Sequence, residues 1–287
     1  MLRSFKNYLS LVKFSHTIFA MPFAAIGYTL GAVQPESHPD VFLLIKVILC
    51  MVFARTSAMA FNRWTDRKID AKNLRTKQRE IPAGTISPSA ALSLVIISSG
   101  LFILTTWFIN PICFFLSPVA LLVVLGYSYT KRFTWLCHLV LGLGLSLAPI
   151  GAYLAVTGRF DILPLLFSFT VITWVSGFDI IYALQDDEFD KSEQLYSIPS
   201  FFGRKNALVF SGILHFISIF CVLLAGKTGS FGMIYWIGAA FFAGLVIYQH
   251  TLIRPDDLSK VNIAFFTTNG IASIVFAGFV VAASVWH

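Results

Sequence analysis

An apolar segment, residues 41–61, ends in the sequence Asn62-Arg-Trp-Thr-Asp66-Arg-Lys-Ile-Asp70. Another apolar segment ends in the sequence Asp179-Ile-Ile-Tyr182-Ala-Leu-Gln-Asp186-Asp187-Glu188-Phe-Asp190. Together these two motifs contain seven of the 14 Asp and Glu residues of the chain. The pattern predicts membrane-embedded helices whose ends carry the chemistry.

Both acidic motifs have the spacing of one face of an α-helix. In the first motif, Asn62, Asp66 and Asp70 are four residues apart. In the second, the advance from Asp179 to Tyr182, Asp186 and Asp190 is three, four and four residues. Since residues three or four apart lie on the same side of a helix, the spacing predicts two acidic helix faces.

The composition is that of a membrane protein. Hydrophobic residues make up 57% and charged residues 12% of the 287 residues, and the mean hydropathy is +0.78, whereas soluble proteins have about 25% charged residues. A transmembrane helix needs about 20 apolar residues. We place nine such spans at 14–33, 41–61, 88–109, 111–130, 134–157, 162–184, 205–226, 231–252 and 262–286. One bent element in place of the third and fourth spans is an alternative, because only Asn110-Pro111 separates them.

The predicted fold is therefore all-α, a polytopic membrane helical bundle of about nine transmembrane helices around a central cavity. We expect residues 1–287 to form a single domain. With a cytoplasmic N-terminus, 17 of the 21 Lys and Arg residues fall in cytoplasmic segments, as the positive-inside rule requires. This predicts a multi-pass protein of the cell inner (plasma) membrane with both acidic motifs toward the cytoplasm. The net charge of +7 reflects this asymmetry, and we expect no nucleic acid partner.

Basic residues surround the first acidic motif. Seven Lys and Arg residues lie between residues 62 and 87, and Lys131-Arg132 follows the fourth span. Mg²⁺ binds carboxylate oxygens and substrate phosphates, while Lys and Arg neutralise the remaining phosphate charge; the pattern thus indicates a diphosphate substrate. Arg55 lies within the second span, where an arginine is costly unless it pairs or lines a wet cavity. The same cost applies to Asp179 in the sixth span, which needs a metal, a cation or a proton.

The two acidic motifs resemble the paired signature of the UbiA superfamily of intramembrane aromatic prenyltransferases. More narrowly, four segments resemble its 4-hydroxybenzoate polyprenyltransferase branch: Lys13-Phe-Ser-His16-Thr-Ile-Phe-Ala, Asn73-Leu-Arg75-Thr76 with Ile81-Pro82-Ala-Gly84, Tyr127-Ser-Tyr-Thr-Lys131-Arg132-Phe-Thr134, and Gly177-Phe-Asp179-Ile-Ile-Tyr182-Ala. The likeness covers residues from about 10 to 205 closely. Leu74 stands where the family usually has proline.

The resemblance implies a Mg²⁺-dependent transfer of a polyprenyl group from polyprenyl diphosphate to an aromatic hydroxy acid. The acceptor would be 4-hydroxybenzoate, prenylated at the ring carbon ortho to its hydroxyl in ubiquinone-type quinone biosynthesis. The implied Mg²⁺ ligands are Asn62, Asp66, Asp70, Asp186 and Asp190, and the implied diphosphate-binding residues are Arg67, Lys72, Arg75 and Lys131. Asp179 joins the four metal-binding aspartates as a catalytic residue because it would activate the phenol. Arg55 or Arg132 would hold the acceptor's carboxylate, with Tyr182 beside the acceptor and the allylic cation, and the prenyl tail would extend toward membrane lipid.

Two alternatives stay open from the sequence. The first is a different acceptor, a hydroxynaphthoate of menaquinone biosynthesis, which also presents a phenol and a carboxylate. The second is a cation-coupled membrane transporter, which would also use buried acids. Such a transporter predicts acids near the membrane midplane, whereas here most acids gather at one interface beside a basic loop, which favours phosphate chemistry.

Overall fold

The computed structural model describes residues 7, 8, 10–12 and 20–286. Helices are the regular structure of these residues, which contain no β-strand. The main helices are α1 (Met21–Ala32), α2 (Val41–Lys72), α3 (Pro88–Trp107), α4 (Pro111–Thr130), α5 (Cys137–Thr157), α6 (Ile162–Ala183), α7 (Asp187–Ser192), α8 (Ile198–Thr228), α9 (Met233–Leu252) and α10 (Asn269–Val285). A 3₁₀ turn, Leu184–Asp186, joins α6 to α7, and a π-helical turn, Ile263–Thr268, precedes α10.

The all-α membrane fold predicted from the sequence is confirmed. Eight helical segments of the described residues have the length and apolar composition to cross a membrane. They correspond to the second to ninth predicted spans. The first predicted span, 14–33, lies partly outside the described residues, and its described part includes α1. The region 88–130 forms two helices, α3 and α4, so the alternative of one bent element is wrong.

Two helix boundaries differ from the predicted ones for local reasons. The second helix continues past its apolar segment to Lys72, and this extension carries the whole first acidic motif. Helix α8 begins at Ile198, seven residues before the predicted span 205–226. Ser197 caps it through a reciprocal pair of hydrogen bonds with Ser200, and Pro199 occupies its first turn. Such a capping box with an early proline is a strong helix start. Gly203, at φ 80°, then kinks the helix.

The chain packs into two compact units. Among the described residues, the first contains 7, 8, 10–12 and 41–129, and the second contains 20–40 and 130–286. In the first unit, α2 packs against α3, and the described core includes Ala60, Val95 and Ile81. Ile81 belongs to the loop after α2, so apolar contacts hold this loop on the helices.

The second unit has an aromatic core. Trp174 on α6 is fully buried and packs against Phe23, Phe178 and Phe242, with ring centroids 5.0–5.8 Å apart. Rings at these distances and tilts attract one another beyond the gain from burial. Helix α6 is therefore the central helix of this unit, and it carries Asp179 and Tyr182.

Close packing of α5 on α6 depends on Gly142. A Cβ atom there would lie 2.5 Å from the main-chain oxygen of Ile172 and would overlap Oγ of Ser176. Small residues allow this approach in membrane helices. The hydroxyl of Ser176 lies 3.0 Å from the main-chain oxygen of His138 and 2.6 Å from that of Ile172, so its single proton is shared between these two acceptors. The contact therefore fixes the start of α5 beside the end of α6.

Gly142→Ala is expected to lower stability by about 1–3 kcal/mol, since overpacking forces helices apart. Gly151→Ala is the matched control, because Gly151 lies on the same helix and a Cβ added there would meet no atom within 4 Å. Thermal unfolding of both purified variants in detergent measures the difference. Equal melting temperatures for the two variants would show that the helices do not depend on this contact.

Candidate active site

The first acidic motif lies on the final turns of α2 in the first unit. Asp66 and Asp70 are 2% and 4% exposed, and Nδ2 of Asn62 donates a hydrogen bond to Oδ2 of Asp66 at 3.3 Å. All three residues belong to one continuous helix. The four-residue spacing therefore produces the shared helix face that the sequence predicted.

Asp70 makes one strong interaction and retains one orphan oxygen. Its Oδ1 accepts a hydrogen bond from Nη1 of Arg79 at 2.8 Å. Its Oδ2 is buried and has no hydrogen-bond partner in the part of the chain that the structure describes. A buried carboxylate oxygen without a partner costs about 1–3 kcal/mol or more. This oxygen is therefore well suited to bind a cation.

Sequence reasoning did not single out Arg79. The loop after α2 turns back toward the helix, because Oγ1 of Thr76 donates to the main-chain oxygen of Asp70 at 3.1 Å. The amide of Arg79 then donates to the main-chain oxygen of Thr76 at 2.9 Å. This turn brings the arginine to Asp70. In the sequence, Arg79 is only a basic residue nine positions after Asp70, and this separation does not match the period of a helix or a strand.

The predicted diphosphate-binding cations of the first unit differ in their surroundings. Arg67 stacks on Trp64, with its guanidinium carbon 4.7 Å from the ring centroid, and Nη1 donates to the main-chain oxygen of Trp64. Lys72 and Arg75 are exposed. Stacking on an aromatic face holds the Arg67 guanidinium in one position.

A half-buried arginine, Arg55, precedes the first motif on α2, and a buried arginine, Arg63, lies within it. Arg63 is 4% exposed, and Arg55 lies two turns deeper than Asn62 on the helix. The Nε atom of each is buried without a hydrogen-bond partner among the described residues. Buried guanidinium groups with unsatisfied donors favour an anionic ligand. Arg55 was predicted from its depth in the span, whereas Arg63 was missed because it resembled one more loop cation.

The second acidic motif is not on one helix, so the single-face prediction is wrong here. Helix α6 ends at Ala183, and the 3₁₀ turn through Asp186 separates it from α7. Asp179 and Tyr182 remain on α6, whereas Asp190 lies on α7. The side-chain Nε2 of Gln185 donates to the main-chain oxygen of Tyr182 at 3.2 Å, which helps to satisfy the carbonyl groups at the helix end.

An ion pair fixes the start of α7. Asp187 is 3% exposed, and its two oxygens accept hydrogen bonds from Nε and Nη2 of Arg204 at 3.0 and 2.8 Å. A bidentate arginine pair orients both groups. Asp187 is thus held by α8, although it lies between two predicted site residues in the sequence.

Asp190 and Lys131 lie near the start of α8. Oγ of Ser197 donates to Oδ2 of Asp190 at 2.9 Å. The amide of Tyr196 donates to the main-chain oxygen of Lys131 at 2.7 Å. The structure therefore brings the segment that contains Lys131 to the end of the second motif, within the second unit. Arg132, predicted for the acceptor, is half-buried in the same segment.

Asp179 contacts His138 of α5. Nδ1 of His138 lies 2.7 Å from Oδ2 of Asp179, and the side chains are 4% and 22% exposed respectively. The sequence predicted that Asp179 needs a metal, a cation or a proton donor. The histidine supplies a ring nitrogen, but its pairing across two helices had no sequence signal.

Tyr182 belongs to an aromatic group. Its ring stacks on Phe265 at 4.1 Å between centroids and meets the edge of Phe266 at 5.9 Å. Both phenylalanines lie in the π-helical turn before α10. Nδ2 of Asn269 donates to the main-chain oxygens of Ala264 and Phe265 in that turn. π-helical turns are often found at functional sites, and this one presents two rings to Tyr182.

Neither motif alone forms a complete metal site. Among the described residues there is no group of three or more His, Cys, Asp and Glu side chains arranged to hold a metal ion. The donor chemistry is nevertheless that of a magnesium site, because carboxylate and amide oxygens are the preferred ligands. The unpartnered Oδ2 of Asp70 fits a cation that receives its other ligands from elsewhere, including a substrate.

The described residues form helices of membrane-crossing length, with carboxylates at helix ends and arginines whose Nε atoms are buried. These features define a polytopic membrane protein that is suited to bind an anionic ligand. The chain belongs to the UbiA prenyltransferase family, whose model matches residues 20–271. It is therefore a prenyltransferase, and the family resemblance noted in the sequence is confirmed. This membership favours the enzyme over the alternative of a cation-coupled transporter.

Similar proteins agree with this family. A relative from Vibrio campbellii named 4-hydroxybenzoate octaprenyltransferase is 30% identical over 279 residues, which cover 95% of this chain and 92% of the relative. The apo structure of a UbiA homologue from Aeropyrum pernix K1 is 28% identical with a TM-score of 0.84, covering 93% of this chain and 98% of that one. A UbiA homologue from Archaeoglobus fulgidus, solved with GPP and Mg²⁺, is 20% identical with a TM-score of 0.79, covering 97% and 99%. The last likeness shows a shared fold.

Proposed function

We propose that the protein transfers a polyprenyl group from polyprenyl diphosphate to 4-hydroxybenzoate, at the ring carbon ortho to the hydroxyl. Family membership and the name of the Vibrio campbellii relative support the aromatic acceptor. The observation that carries the proposal is the buried carboxylate face of α2, where an Asp70 oxygen has no partner among the described residues. A phosphate-bound cation is the ligand that this face suits best.

The proposed cation is Mg²⁺, held by Asn62, Asp66, Asp70, Asp186 and Asp190. When bound, Mg²⁺ supplies charge stabilisation to the departing diphosphate. We propose, from the paired acidic motifs of the sequence, that both motifs bind the same donor diphosphate. The Mg²⁺ in the Archaeoglobus fulgidus homologue was bound together with GPP, which supports a donor that completes the site.

Cations of the chain bind the diphosphate oxygens in this proposal. Arg67, Lys72 and Arg75 come from the end of α2 and its loop, and Lys131 comes from the segment beside Asp190. Positive charge near the bridging and leaving oxygens stabilises the negative charge that develops as the allylic C–O bond breaks. Arg79 has a different role, because its bond to Asp70 holds that carboxylate in place.

Aromatic rings stabilise the allylic carbon that loses the diphosphate. The ring of Tyr182, backed by Phe265 and Phe266, presents a π-face, which attracts a cation within about 6 Å. The same apolar group excludes water, which would otherwise capture the allylic cation. Asp179 takes the phenolic proton and the ring attacks the allylic carbon through its ortho carbon. Loss of the proton from that ortho carbon then restores the aromatic ring, and the phenolate oxygen regains a proton from Asp179.

The acceptor carboxylate is assigned to an arginine. Arg55 or Arg132 would bind it, since a guanidinium pairs with a carboxylate through two parallel hydrogen bonds. The Nε of Arg55, buried and without a partner among the described residues, supports Arg55 in this role. The asymmetry of basic residues further supports a site that faces the cytoplasm from the cell inner membrane.

Arg55→Ala is expected to raise the KM for 4-hydroxybenzoate about 30-fold, with kcat and donor KM unchanged. Loss of a charged hydrogen-bonded contact costs about 1.5–3 kcal/mol, and a change confined to one KM marks a ground-state contact. Arg159→Ala is the control, because this arginine's side chain is 56% exposed. Steady-state kinetics on purified protein with each substrate varied measure both effects, and a raised donor KM in Arg55→Ala would contradict the assignment.

Product analysis tests the proposed function itself. Purified protein is incubated with a polyprenyl diphosphate, Mg²⁺ and either 4-hydroxybenzoate or a hydroxynaphthoate. The lipid extract is then analysed by mass spectrometry. We expect a 3-prenylated 4-hydroxybenzoate and an equal amount of released diphosphate. A prenylated naphthoate with no benzoate product would assign the protein to menaquinone-type synthesis, and diphosphate release with neither acceptor modified would reject both.

A further inference from the structure

The ring of His138 bridges two parts of the second unit. Its Nδ1 lies 2.7 Å from Oδ2 of Asp179 on α6. Its Nε2 accepts a hydrogen bond from the amide of Ile198, the first residue of α8, at 3.3 Å. The whole residue is only 3% exposed. Both nitrogens are therefore engaged within the protein.

These two contacts fix which nitrogen carries the proton. A backbone N–H only donates, so Nε2 of His138 must be the unprotonated nitrogen. A neutral imidazole has one N–H group, and it must then be on Nδ1. Nδ1–H thus donates to Oδ2 of Asp179. The reverse tautomer would set the Nε2–H group of the ring against the N–H group of Ile198.

The main chain of His138 is fixed as well. Ser176 lies on α6, three residues before Asp179. Its Oγ donates to the main-chain oxygen of His138 at 3.0 Å. The residue that caps α8, Ser197, also donates to Asp190. Ring and backbone of His138 are therefore held against the elements that carry the second acidic motif, so the ring cannot turn without breaking a hydrogen bond.

Asp179 is held on one side only. Oδ2 accepts from His138, and no other hydrogen bond to the Asp179 carboxylate occurs within the described part of the chain. Its side chain is 22% exposed, so a substrate can approach the second oxygen. Helix α6 is otherwise nearly buried here, with Phe178 and Ile180 at 2% and 0% exposure.

We propose that His138 is a positioning residue that orients Asp179, fixing Oδ2 so that Oδ1 faces the phenol of the acceptor. This inference rests on the proposed role of Asp179 in prenyl transfer. The phenolic O–H bond breaks, and its proton forms a new O–H bond with Oδ1, while the electron pair stays on the phenolate. His138 itself is not the base, because Nε2 already accepts from Ile198 and offers no lone pair to a substrate.

The test compares His138→Leu with His138→Asn in the full-length protein. Asparagine keeps an N–H donor near the position of Nδ1, whereas leucine keeps none. We expect His138→Leu to lower kcat for 4-hydroxybenzoate prenylation about 30-fold, since residues that orient a functional group are typically worth 10–100-fold. We expect His138→Asn to retain activity within about threefold. Binding of a non-reactive donor analogue with Mg²⁺ should be the same in both variants.

A double-mutant cycle with Asp179→Asn shows whether His138 acts through the aspartate. The proposal predicts that His138→Leu causes no further loss in the Asp179→Asn background. An equal fold-loss in both backgrounds, or equal activity of the Leu and Asn variants, would overturn it. Should the Leu variant not fold, His138→Met repeats the comparison with a more adaptable apolar side chain.

The outcomes separate this inference from the proposed function. If the wild-type protein prenylates no hydroxylated aromatic acid, the proposed function fails before any variant is compared. If the wild-type protein prenylates such an acceptor and Asp179→Asn is fully active, the proposed function is retained, but the proposed roles of Asp179 and His138 are both rejected. If Asp179→Asn is strongly impaired but measurable and His138→Leu causes the same fold-loss in both backgrounds, the role of His138 alone is rejected.

Discussion

Asp186→Ala is expected to abolish prenyl transfer, whereas Asp187→Ala is expected to destabilise the protein. The two residues are adjacent, but Asp187 is 3% exposed and binds Arg204 through two hydrogen bonds. Removing one partner of such a pair leaves the other unpaired, which costs several kcal/mol when both are buried. Because the Arg204 side chain is 31% exposed, solvent reduces the cost to about 2 kcal/mol.

Stability and activity are both measured for Asp186→Ala and Asp187→Ala. Thermal unfolding of both purified variants gives stability, and activity is assayed well below the lower melting temperature. We expect Asp186→Ala to lose at least about 10³-fold in kcat, as expected when a metal-assisted step loses several kcal/mol of stabilisation. Full activity in Asp186→Ala, or a stable but inactive Asp187→Ala, would show that the roles are reversed.

Asp66→Ala is expected to lower turnover by at least about 10³-fold and to remove Mg²⁺-dependent binding of the donor. Asp66 is 2% exposed and accepts a hydrogen bond from Asn62, so alanine removes a proposed metal ligand from this buried helix face. Asp256→Ala is the control, because this aspartate lies exposed in the loop before the last transmembrane helix. Kinetics with increasing Mg²⁺ distinguish weakened metal affinity from complete loss, and an active Asp66→Ala would remove the metal hypothesis.

Most of the fold was predictable because hydrophobic length dictates transmembrane helices. The second to ninth spans correspond to helical segments of the described residues, and the spacing of Asn62, Asp66 and Asp70 correctly predicted a shared helix face. The prediction failed for the second motif because periodicity assumes a continuous helix. The helix ends at Ala183. The residues after it are positioned by the 3₁₀ turn and by the ion pair between Asp187 and Arg204.

Several residues around the candidate site could not be found from the sequence. Arg79 reaches Asp70 through a loop turn, and His138 reaches Asp179 from another helix. The stacking of Phe265 on Tyr182 depends on a π-helical turn far along the chain. Each is a tertiary contact with no fixed sequence spacing. Residue type alone identified the carboxylates and cations, but not the groups that hold them.

The most direct test of the account is a crystal structure with Mn²⁺ in place of Mg²⁺ and a non-reactive thiolodiphosphate analogue of the donor. Anomalous scattering locates the metal independently of the protein coordinates. We expect metal density in direct coordination with carboxylates of both motifs, Asp66 or Asp70 and Asp186 or Asp190, and with the analogue's diphosphate. Metal bound by a single motif, or a diphosphate that contacts neither, would contradict the proposal that the two motifs bind one donor.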